Sequence, residues 1–430
     1  MDKYIGNKKV IVEGIEAFLK KKKVKNGLFI DAFAGTTNVS QYFKQKGFGI
    51  VCNDVNDFSY IFGKVYIENN TFPQFLNLFK SEEFNAFKID EKKVKWNIAY
   101  IKRKISGDKL FDSNYYERVC FENGIKPLIY VLQYLNDLDI MELNEEERVF
   151  FDYYCIEGSK SDYISSRGTK GKRNYFFPDN AKRLGKILAV IKKWRRRLLI
   201  SEMECYVLLV CVIEEVTLNA NVNGTFHDFN RKKLYPNAEA KLILKPIMFN
   251  IVEKPADYYV FKCDANEIKN DLTFREIDIS ESVLYIDPPY NFRQYSAYYH
   301  MLNFIAKYCE IDDVMAYAKG FKFVRGQNMT DNFNSQYCYK DSFIPSLENL
   351  ISGIKSKHVL ISYYDENNHW NHGKDAISME GRESIVGIFK SLNEFEKYDK
   401  EPSIIERKNY QSQSGGHKKA VDELLFYARR

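Results

Sequence analysis

Short apolar runs at both ends of the chain predict the buried strands of a sheet. Each run is bounded by polar or turn-forming residues and is too short for a long helix. Several end at an acid, as residues 28–30 do at Asp31 and residues 283–286 do at Asp287. The runs lie within 28–30, 49–53, 258–263, 283–286, 357–363 and 420–427.

Apolar residues at helical spacing predict helices between these strands. Within residues 8–22, Ile11, Ile15 and Phe18 would share one helix face. Residues 62–245 lack a regular alternation of strand and helix and are expected to be mainly helical. Further helices are predicted in 39–43, 126–135, 180–199 and 202–218.

The order of these elements predicts an α/β protein with a doubly wound, Rossmann-like sheet that a helical insertion interrupts. Strand, turn, helix and strand follow one another over residues 27–54, as in the nucleotide-binding half of such sheets. Two domains are predicted, one from 1–61 with 246–430 and the other from the insertion 62–245. A chain of 430 residues with 45% hydrophobic content is long enough for both.

Composition predicts a cytoplasmic protein without a membrane span. No run of about 18 apolar residues occurs, and Met1 to Tyr4 are not followed by the apolar stretch of a signal peptide. The eight cysteines form no CxxC pair and have no histidine at ligand spacing. We therefore expect reduced thiols and no required metal.

Positive charge is concentrated in one part of the predicted insertion. Residues 161–200 hold twelve Lys and Arg against two acids, although the whole chain has a net charge of only +6. Such local basicity indicates a polyanion partner, most simply nucleic acid. Within this part, residues 192–197 are expected to form a helix face on DNA phosphate, with a solvated helix face as the alternative.

The turn between the first two predicted strands favours an adenosyl ligand without phosphates. Its sequence, Phe33-Ala-Gly-Thr-Thr-Asn38, departs from the GxGxxG pattern that wraps a pyrophosphate, so NAD fits less well. An acid, Asp54, follows the second strand, where it could accept hydrogen bonds from ribose. A turn without any ligand remains the alternative on these residues alone.

Acids follow the predicted strands at four places, and the stretch Asp287-Pro288-Pro289-Tyr290 is one of them. Two prolines fix the backbone there, so the Asp287 carboxylate, the Pro288 carbonyl and the Tyr290 ring are held together at a strand's carboxyl end. They offer two acceptors for an amino group and a surface on which a base could stack. S-adenosylmethionine, with its sulfonium, ammonium and hydroxyls, is a chemical match for the clustered acids Asp31, Asp54, Asp264 and Asp287.

These stretches resemble the DPPY-type adenine-specific DNA methyltransferases, the D12 class that contains deoxyadenosine methylase. The resemblance is strong at both ends of the chain and weak over 62–160. It implies a methyl donor, S-adenosylmethionine, and a partner, double-stranded DNA. The matching stretches are 4–8, 29–36, 53–54, 263–264, 287–290 and 362–363.

The resemblance also implies a role for each matching residue. Asp287 and the Pro288 carbonyl would hold the N6 amino group of an extruded adenine, and Tyr290 would stack on its ring. Asp31 and Asp287 also belong to the expected cofactor site. There Tyr4 and Lys8 would flank the methionine part, Phe33, Ala34, Gly35 and Thr36 would form the loop, Asp54 would bind ribose, and Asp264 would accept from the adenine amino group.

The predicted function is therefore sequence-specific adenine N6-methylation in a restriction-modification system, with a cognate restriction endonuclease as a further candidate partner. Methylation of cytosine N4 or of RNA is the alternative among enzymes, although Asp287, where cytosine enzymes more often have Ser, argues against cytosine. A degenerate DNA-binding protein with the same fold is the alternative outside enzymes. His300, His358, His369 and His372 are expected to be core or surface residues.

One position departs from the pattern of the family. Thr37 stands where the loop often has a second glycine, and Asn38 follows it. Because a β-branched residue tolerates left-handed backbone poorly and asparagine tolerates it well, we expect the loop to turn at Asn38. Reduced affinity for the cofactor is the alternative.

Overall fold

The structure is a computed structural model that describes residues 8–106, 108, 110, 118–120, 124–232, 234–364, 368–370, 379–408 and 420–430. The chain packs as two compact units. The sheet unit contains residues 8–63, Lys254–Tyr295 and Phe333–Arg430, and the helical unit contains Lys64–Glu253 and Ser296–Asn332.

The sheet unit is built on one eight-stranded, mainly parallel sheet. The strand order is β10-β12-β9-β6-β1-β2-β5, and β11 pairs with β12. Neighbours from β9 to β5 are parallel, whereas β12 runs antiparallel to β9. The strands are β1 Leu28–Asp31, β2 Gly49–Asn53, β5 Tyr258–Phe261, β6 Ser282–Ile286, β9 His358–Tyr364, β10 Lys397–Tyr398, β11 Ser403–Lys408 and β12 Ala420–Arg429.

Helices cover both faces of this sheet. Consecutive side chains of a strand point to opposite faces, and in β2, β6 and β9 most side chains on both faces are apolar and buried. On one face, Phe29 of β1 stacks on Phe43, with ring centroids 4.2 Å apart. On the other face, Ile30 belongs to a buried cluster that includes Leu347 and Ile385. The helices of the unit are α1 Val12–Lys21, α2 Asn38–Gln45, α3 Asp57–Gly63, α12 Ile268–Phe274, α16 Lys340–Gly353 and α17 Met379–Ser391.

The prediction of a doubly wound α/β sheet is confirmed. Each of the six apolar runs forms a strand, and the five expected helices in 8–22, 39–43, 126–135, 180–199 and 202–218 are present with slightly different ends. Parallel strands buried on both faces need nearly continuous apolar sequence, which is why these runs were visible.

The helical unit has only short strands. They form two antiparallel hairpins, β3 Asp162–Ile164 with β4 Lys170–Lys172, and β7 Phe321–Lys322 with β8 Gln327–Asn328. Its helices are α4 Leu76–Phe79, α5 Glu82–Asn85, α6 Glu91–Ile105, α7 Lys126–Asn136, α8 Val149–Tyr154, α9 Pro178–Arg196, α10 Glu202–Asn219, α11 Pro236–Glu239, α14 His300–Ala306 and α15 Val314–Ala318. A π-helix, Lys64–Glu68, begins the unit, and the boundary along the chain between Tyr295 and Ser296 falls within α13 Tyr295–Tyr298.

Residues 296–332 pack in the helical unit, whereas the predicted division placed them with the sheet. Aromatic contacts account for this placement: Phe304 stacks on Phe150 at 5.1 Å, and the Tyr154 hydroxyl donates to the Gly326 carbonyl at 2.5 Å. Such contacts link residues far apart in sequence, so the pattern of strands and helices could not reveal them. Among the described helices, none has both the length and the apolar composition needed to cross a membrane.

Candidate active site

The four acids singled out in the sequence lie at the carboxyl edge of four adjacent strands. Asp31 is the last residue of β1, Asp54 and Asp287 directly follow β2 and β6, and Asp264 lies just beyond β5. Open α/β sheets bind their ligands at this edge. The sheet therefore brings together residues that are more than 250 positions apart in the chain.

Asp31 is a buried carboxyl group in which one oxygen, Oδ1, could accept a hydrogen bond from a further donor. The Ser40 hydroxyl donates to its Oδ2 at 2.6 Å, and its Oδ1 has no hydrogen-bond partner among the described residues. Burial raises its pKa to about 7, the Ser40 hydroxyl opposes this rise, and the charges of Asp287 and Asp54 add to it. An incoming cation with N–H donors would satisfy Oδ1 and favour the ionised form.

Asp54 is fixed by the loop that follows β1. Its Oδ2 accepts from the Gly35 amide at 2.9 Å, and its Oδ1 accepts from the amide and the side-chain Nδ2 of Asn56, also at 2.9 Å. Burial raises the pKa of Asp54, while these hydrogen bonds act in the opposite direction. A carboxylate has about four lone-pair positions, so acceptor capacity remains for hydroxyl groups of a ligand.

The loop turns at Gly35 and Thr37, so the expectation that it turns at Asn38 is wrong. Gly35 has φ 50° and Thr37 has φ 60°, whereas Asn38 is already the first residue of α2. Side-chain hydrogen bonds hold the fully buried Thr37 in this uncommon conformation. Its hydroxyl donates to the Thr36 carbonyl at 2.7 Å and accepts from Gln41 Nε2 at 3.0 Å.

Asn53, at the end of β2, ties three strand ends together. Its Nδ2 donates to the carbonyls of Ala32 and Cys263, at 3.2 Å and 3.1 Å, and its Oδ1 accepts from the Cys263 amide at 3.2 Å. Its own carbonyl accepts from the Ala34 amide at 2.9 Å. These bonds fix the start of the loop relative to Asp264.

Asp264 and Phe33 lie beside a buried tyrosine. The Asp264 carboxylate accepts from the Asn266 amide at 2.9 Å, and the Tyr337 hydroxyl donates to the Asn266 side-chain oxygen at 3.2 Å. The Phe33 ring meets the Tyr337 ring edge to face, with centroids 4.8 Å apart. Phe33 is partly exposed, and it can therefore contribute an apolar wall to a ligand.

Asp287 belongs to a buried charge network that the sequence did not reveal. The Lys8 ammonium lies 3.0 Å from Asp287 Oδ1 and 2.7 Å from Glu423 Oε1. The side chains of Lys8 and Glu423 are 3% and 0% exposed, and that of Asp287 is 16% exposed. Ser362 adds a hydroxyl donor to Glu423 Oε1 at 2.7 Å. The network fixes one carboxylate oxygen of Asp287 and leaves Asp287 as its most accessible member.

Pro288 and Tyr290 complete the stretch after β6. Pro288 is buried, and the Tyr290 ring is only 8% exposed because it packs against Tyr363 and Tyr364, with centroids 6.5 Å and 5.2 Å away. Two residues farther on, Phe292 is 68% exposed. The predicted site residue Tyr4 lies outside the described residues.

The histidines have structural surroundings. His300 Nε2 lies 3.1 Å from the Phe226 carbonyl, and burial lowers the pKa of His300 to about 3. His358 Nδ1 lies 2.8 Å from the Tyr427 hydroxyl. His369 Nδ1 lies 2.9 Å from the Tyr363 hydroxyl, and His372 falls outside the described residues.

The basic end of α9 is neutralised within the helical unit. Every cation from 192 to 197 has an acidic neighbour, and Lys192 is buried at 2% exposure. A helix face on DNA phosphate stays a prediction here, and such a contact would have to displace these ion pairs. The pairs are Lys192–Glu146 and Lys193–Glu83 at 2.8 Å, Arg195–Glu202 at 3.8 Å, Arg196–Asp312 at 3.5 Å and Arg197–Glu83 at 3.6 Å.

Comparison with known proteins adds relatives that are modification enzymes. The chain is 28% identical to Modification methylase StsI of Streptococcus sanguinis and 27% identical to Type II methyltransferase M.FokI of Planomicrobium okeanokoites. All of this chain is covered in both cases, but it spans only about half, 52%, of the length of each of these relatives. It is 26% identical to Type II methyltransferase M.NlaIII of Neisseria lactamica, over 92% of this chain and 89% of that protein.

No solved structure matches the chain. The family model of the D12 class N6 adenine-specific DNA methyltransferases matches residues 4–352. This match includes the carboxyl edge of β1, β2, β5 and β6 but ends before β9 and β12. The chain belongs to the D12 class N6 adenine-specific DNA methyltransferases.

Proposed function

We propose that this protein transfers a methyl group from S-adenosylmethionine to N6 of an adenine in a specific sequence of double-stranded DNA. The observation that carries the proposal is the position of Asp287. This carboxylate follows β6 directly, is held by Lys8, and lies on the same sheet edge as Asp31 and Asp54. The proposed catalytic domain is 1–61 with 246–430, of which 296–332 packs with the proposed target-recognition insertion, 62–245.

The polar groups at the sheet edge fit S-adenosylmethionine. Oδ1 of Asp31 is an acceptor suited to the ammonium or the neighbouring positive charge of the methionine part. Asp54 offers acceptors for ribose hydroxyls, and Asp264 offers one for the adenine amino group. Ala34, Gly35 and Thr36 form a tight loop between Asp31 and Asp54, and Phe33 gives it an apolar side. The sulfonium supplies an activated methyl group, so the proposed reaction requires no metal ion.

Asp287 and Pro288 would act on the amino group of the target base. The lone pair of adenine N6 is delocalised into the ring, which makes N6 a poor nucleophile. Two acceptors, the Asp287 carboxylate and the Pro288 carbonyl, would hold its hydrogens and favour a geometry in which the lone pair points at the methyl group. The Tyr290 ring would stack on the extruded base and help offset an unstacking cost of a few kcal/mol.

Lys8 and Glu423 would position Asp287 in this reaction. A lone Lys8–Asp287 pair could hold the carboxylate in more than one orientation. Glu423, itself fixed by Ser362, pins the ammonium from the other side. Asp287 Oδ1 is then held by Lys8, and this fixes the carboxylate that would accept a hydrogen bond from the amino group of the base.

A place in a restriction-modification system follows from the relatives, whose names describe type II methyltransferases and modification methylases. A cognate restriction endonuclease that cuts the unmethylated sequence in the same cytoplasm is therefore part of the proposal. Such an enzyme would act on the same DNA sequence and need not bind this protein.

Single-molecule sequencing of DNA from cells that express the protein tests the proposal. The expected result is N6-methyladenine at one short sequence motif throughout the genome. Equilibrium dialysis with labelled S-adenosylmethionine supplies a second readout. DNA without modified adenine, together with no cofactor binding at millimolar concentration, would overturn the proposal and favour a DNA-binding protein without activity.

A further inference from the structure

Helix α6 carries the most one-sided charge of the described helices outside the basic segment 161–200. Glu91–Ile105 contains six Lys and Arg against the single acid Glu91. Its basic residues are exposed, and an aromatic pair lies among them. Trp96 is 50% exposed and stacks on Tyr100, with ring centroids 5.8 Å apart and an angle of 9° between the rings.

The helix presents one face to the core and another to solvent. Val94, Ile101 and Ile105 are buried at helical spacing. Because an α-helix turns by 100° per residue, Lys92, Trp96 and Arg103 lie on the side opposite these buried residues. All three are exposed. We call Lys92, Trp96 and Arg103 the outer stripe of α6. It extends over about 16 Å along the helix axis, given a rise of 1.5 Å per residue.

The outer stripe differs from the basic end of α9 in the partners of its cations. Lys192, Lys193 and Arg197 of the α9 region each have an acidic residue of the same unit within 4 Å. Lys92 and Arg103 have no acidic partner among the residues that the structure describes. Of the remaining cations of α6, Lys93 pairs with Asp137 at 2.9 Å. Of these two helix regions, α6 is therefore the one with exposed cations that lack a described acidic partner.

We propose that the outer stripe of α6 binds the phosphate backbone of duplex DNA. The proposal rests on the proposed function, because it identifies how the helical unit would hold the same DNA. Two exposed cations without internal acids attract phosphates and release condensed counterions. The flat face of Trp96, prearranged by Tyr100, offers a surface for a sugar or an unpaired base next to the phosphates.

This contact adds affinity without adding sequence specificity. Backbone contacts position a protein on DNA and are nearly independent of the base sequence. The binding site on α6 would therefore strengthen nonspecific and specific binding alike.

The salt dependence of DNA binding by the full chain tests the proposal. The logarithm of the association constant decreases linearly with the logarithm of the salt concentration. For the variant Lys92→Gln/Arg103→Gln, this slope is expected to become shallower by about 2, since each lost phosphate contact removes about 0.9. Its affinity for a duplex of unrelated sequence is expected to fall about tenfold at low salt. The matched control Lys390→Gln/Lys397→Gln changes two exposed lysines of the sheet unit and is expected to leave the slope unchanged.

Tryptophan fluorescence supplies a readout independent of charge. Trp194 is buried and Trp370 is only partly exposed, whereas Trp96 is 50% exposed, so iodide should quench mainly Trp96 in the free protein. Duplex DNA is expected to protect this emission from iodide, and Trp96→Phe should remove the protected component. Equal thermal midpoints of the variants and the wild type, within about 2 °C, establish that the fold is intact.

The outcomes separate this inference from the proposed function. If the wild type methylates DNA and the α6 variant keeps the wild-type slope, the inference is overturned and the proposed function stands. If the α6 variant has a lower slope than the wild type for single-stranded RNA but the same slope for duplex DNA, the assignment to DNA is overturned. If the wild type binds no duplex at low salt, both fall.

Discussion

The sheet unit and the helical unit use charged residues in opposite ways. In the sheet unit, Lys8, Glu423 and Asp31 are buried and fixed by neighbours at the edge where the strands end. In the helical unit, α6 exposes Lys92 and Arg103, which have no acidic partner among the described residues. A buried charge is costly unless it is paired and hydrogen-bonded, whereas an exposed charge costs little and is screened by salt. The difference indicates chemistry in the first unit and electrostatic binding in the second.

Of the substitutions in the two units, Asp287→Ala in the sheet unit should have the largest effect on activity. Asp287→Ala is expected to lower methyl transfer at least about 1000-fold, because the acceptor for the amino group is lost where charge develops. Binding of S-adenosylmethionine and of DNA should stay within about tenfold of the wild type. Transfer of labelled methyl groups and equilibrium dialysis measure the two quantities. An active Asp287→Ala variant would remove Asp287 from the mechanism.

Removing the buried acid Glu423 should destabilise the protein much more than removing an acid of an exposed ion pair. Glu423→Ala leaves Lys8 buried with one acid fewer, at an expected cost of about 3–5 kcal/mol in the free energy of unfolding. The control Glu281→Gln breaks the exposed pair with Lys357 and should cost less than about 1 kcal/mol. Urea denaturation compares the two variants. Similar small losses would show that the network does not hold the fold together.

The raised pKa of Asp31 predicts the direction in which the stability of the sheet unit changes with pH. Its pKa is raised to about 7 in the folded protein, whereas an aspartate of an unfolded chain titrates near 3.9. Between these values the folded state keeps a proton that the unfolded state has released, so stability falls as the pH rises and levels off above about pH 7.

Asp31→Asn should abolish this dependence. Relative to the wild type, the variant is expected to gain up to about 4 kcal/mol in stability between pH 4 and pH 8. The difference between the two proteins is the readout, because other buried groups such as Lys44 titrate in both. Denaturation curves without cofactor at the two pH values measure it, and parallel pH profiles would contradict the assignment of a buried, protonated Asp31.

Thr37 tests whether the sheet unit also tolerates backbone strain at its loop. A residue with φ 60° favours glycine over any side chain. Thr37→Gly is therefore expected to be about 1 kcal/mol more stable than Thr37→Ala, since both lose the hydroxyl and only glycine relieves the strain. Thermal unfolding of the two variants gives the difference. Equal stabilities would indicate that the backbone relaxes at this position.

The basic end of α9 should give the smallest effect on DNA binding. Lys193→Gln/Arg197→Gln removes as many charges as the α6 variant, but both cations pair with Glu83. DNA affinity is expected to change by about twofold or less, because these charges are already compensated. A loss as large as that of Lys92→Gln/Arg103→Gln would cancel the distinction between the two helices.

The sequence predicted the acids at the sheet edge better than it predicted the charge network behind that edge. Asp31, Asp54 and Asp287 were visible because each directly ends an apolar run that had to be a buried strand. Glu423 was not, because in a strand with a polar start it looks like a solvent-facing residue, and its partner Lys8 lies 415 positions away. An acid inside an otherwise apolar strand was the signal that could have found it.

The charge of the helical unit shows a related limit of sequence patterns. Summing the charge over residues 161–200 drew attention to α9, but the acids that neutralise it, Glu83 and Glu146 among them, lie far away in sequence. The charge of α6 was hidden in the nearly neutral remainder of the chain. Thr37 shows a third limit: a residue preference predicted the turn at Asn38, and the side-chain hydrogen bonds of Thr37 outweigh that preference.

Nucleoside analysis of DNA methylated in vitro tests the central claim most directly. Purified protein is incubated with duplex DNA and S-adenosylmethionine, and the digested DNA is examined by mass spectrometry. The wild type is expected to yield N6-methyldeoxyadenosine as the sole new nucleoside, and Asp287→Ala is expected to yield none. Formation of N4-methyldeoxycytidine, or undiminished N6-methyldeoxyadenosine from Asp287→Ala, would contradict the role given to the stretch that follows β6.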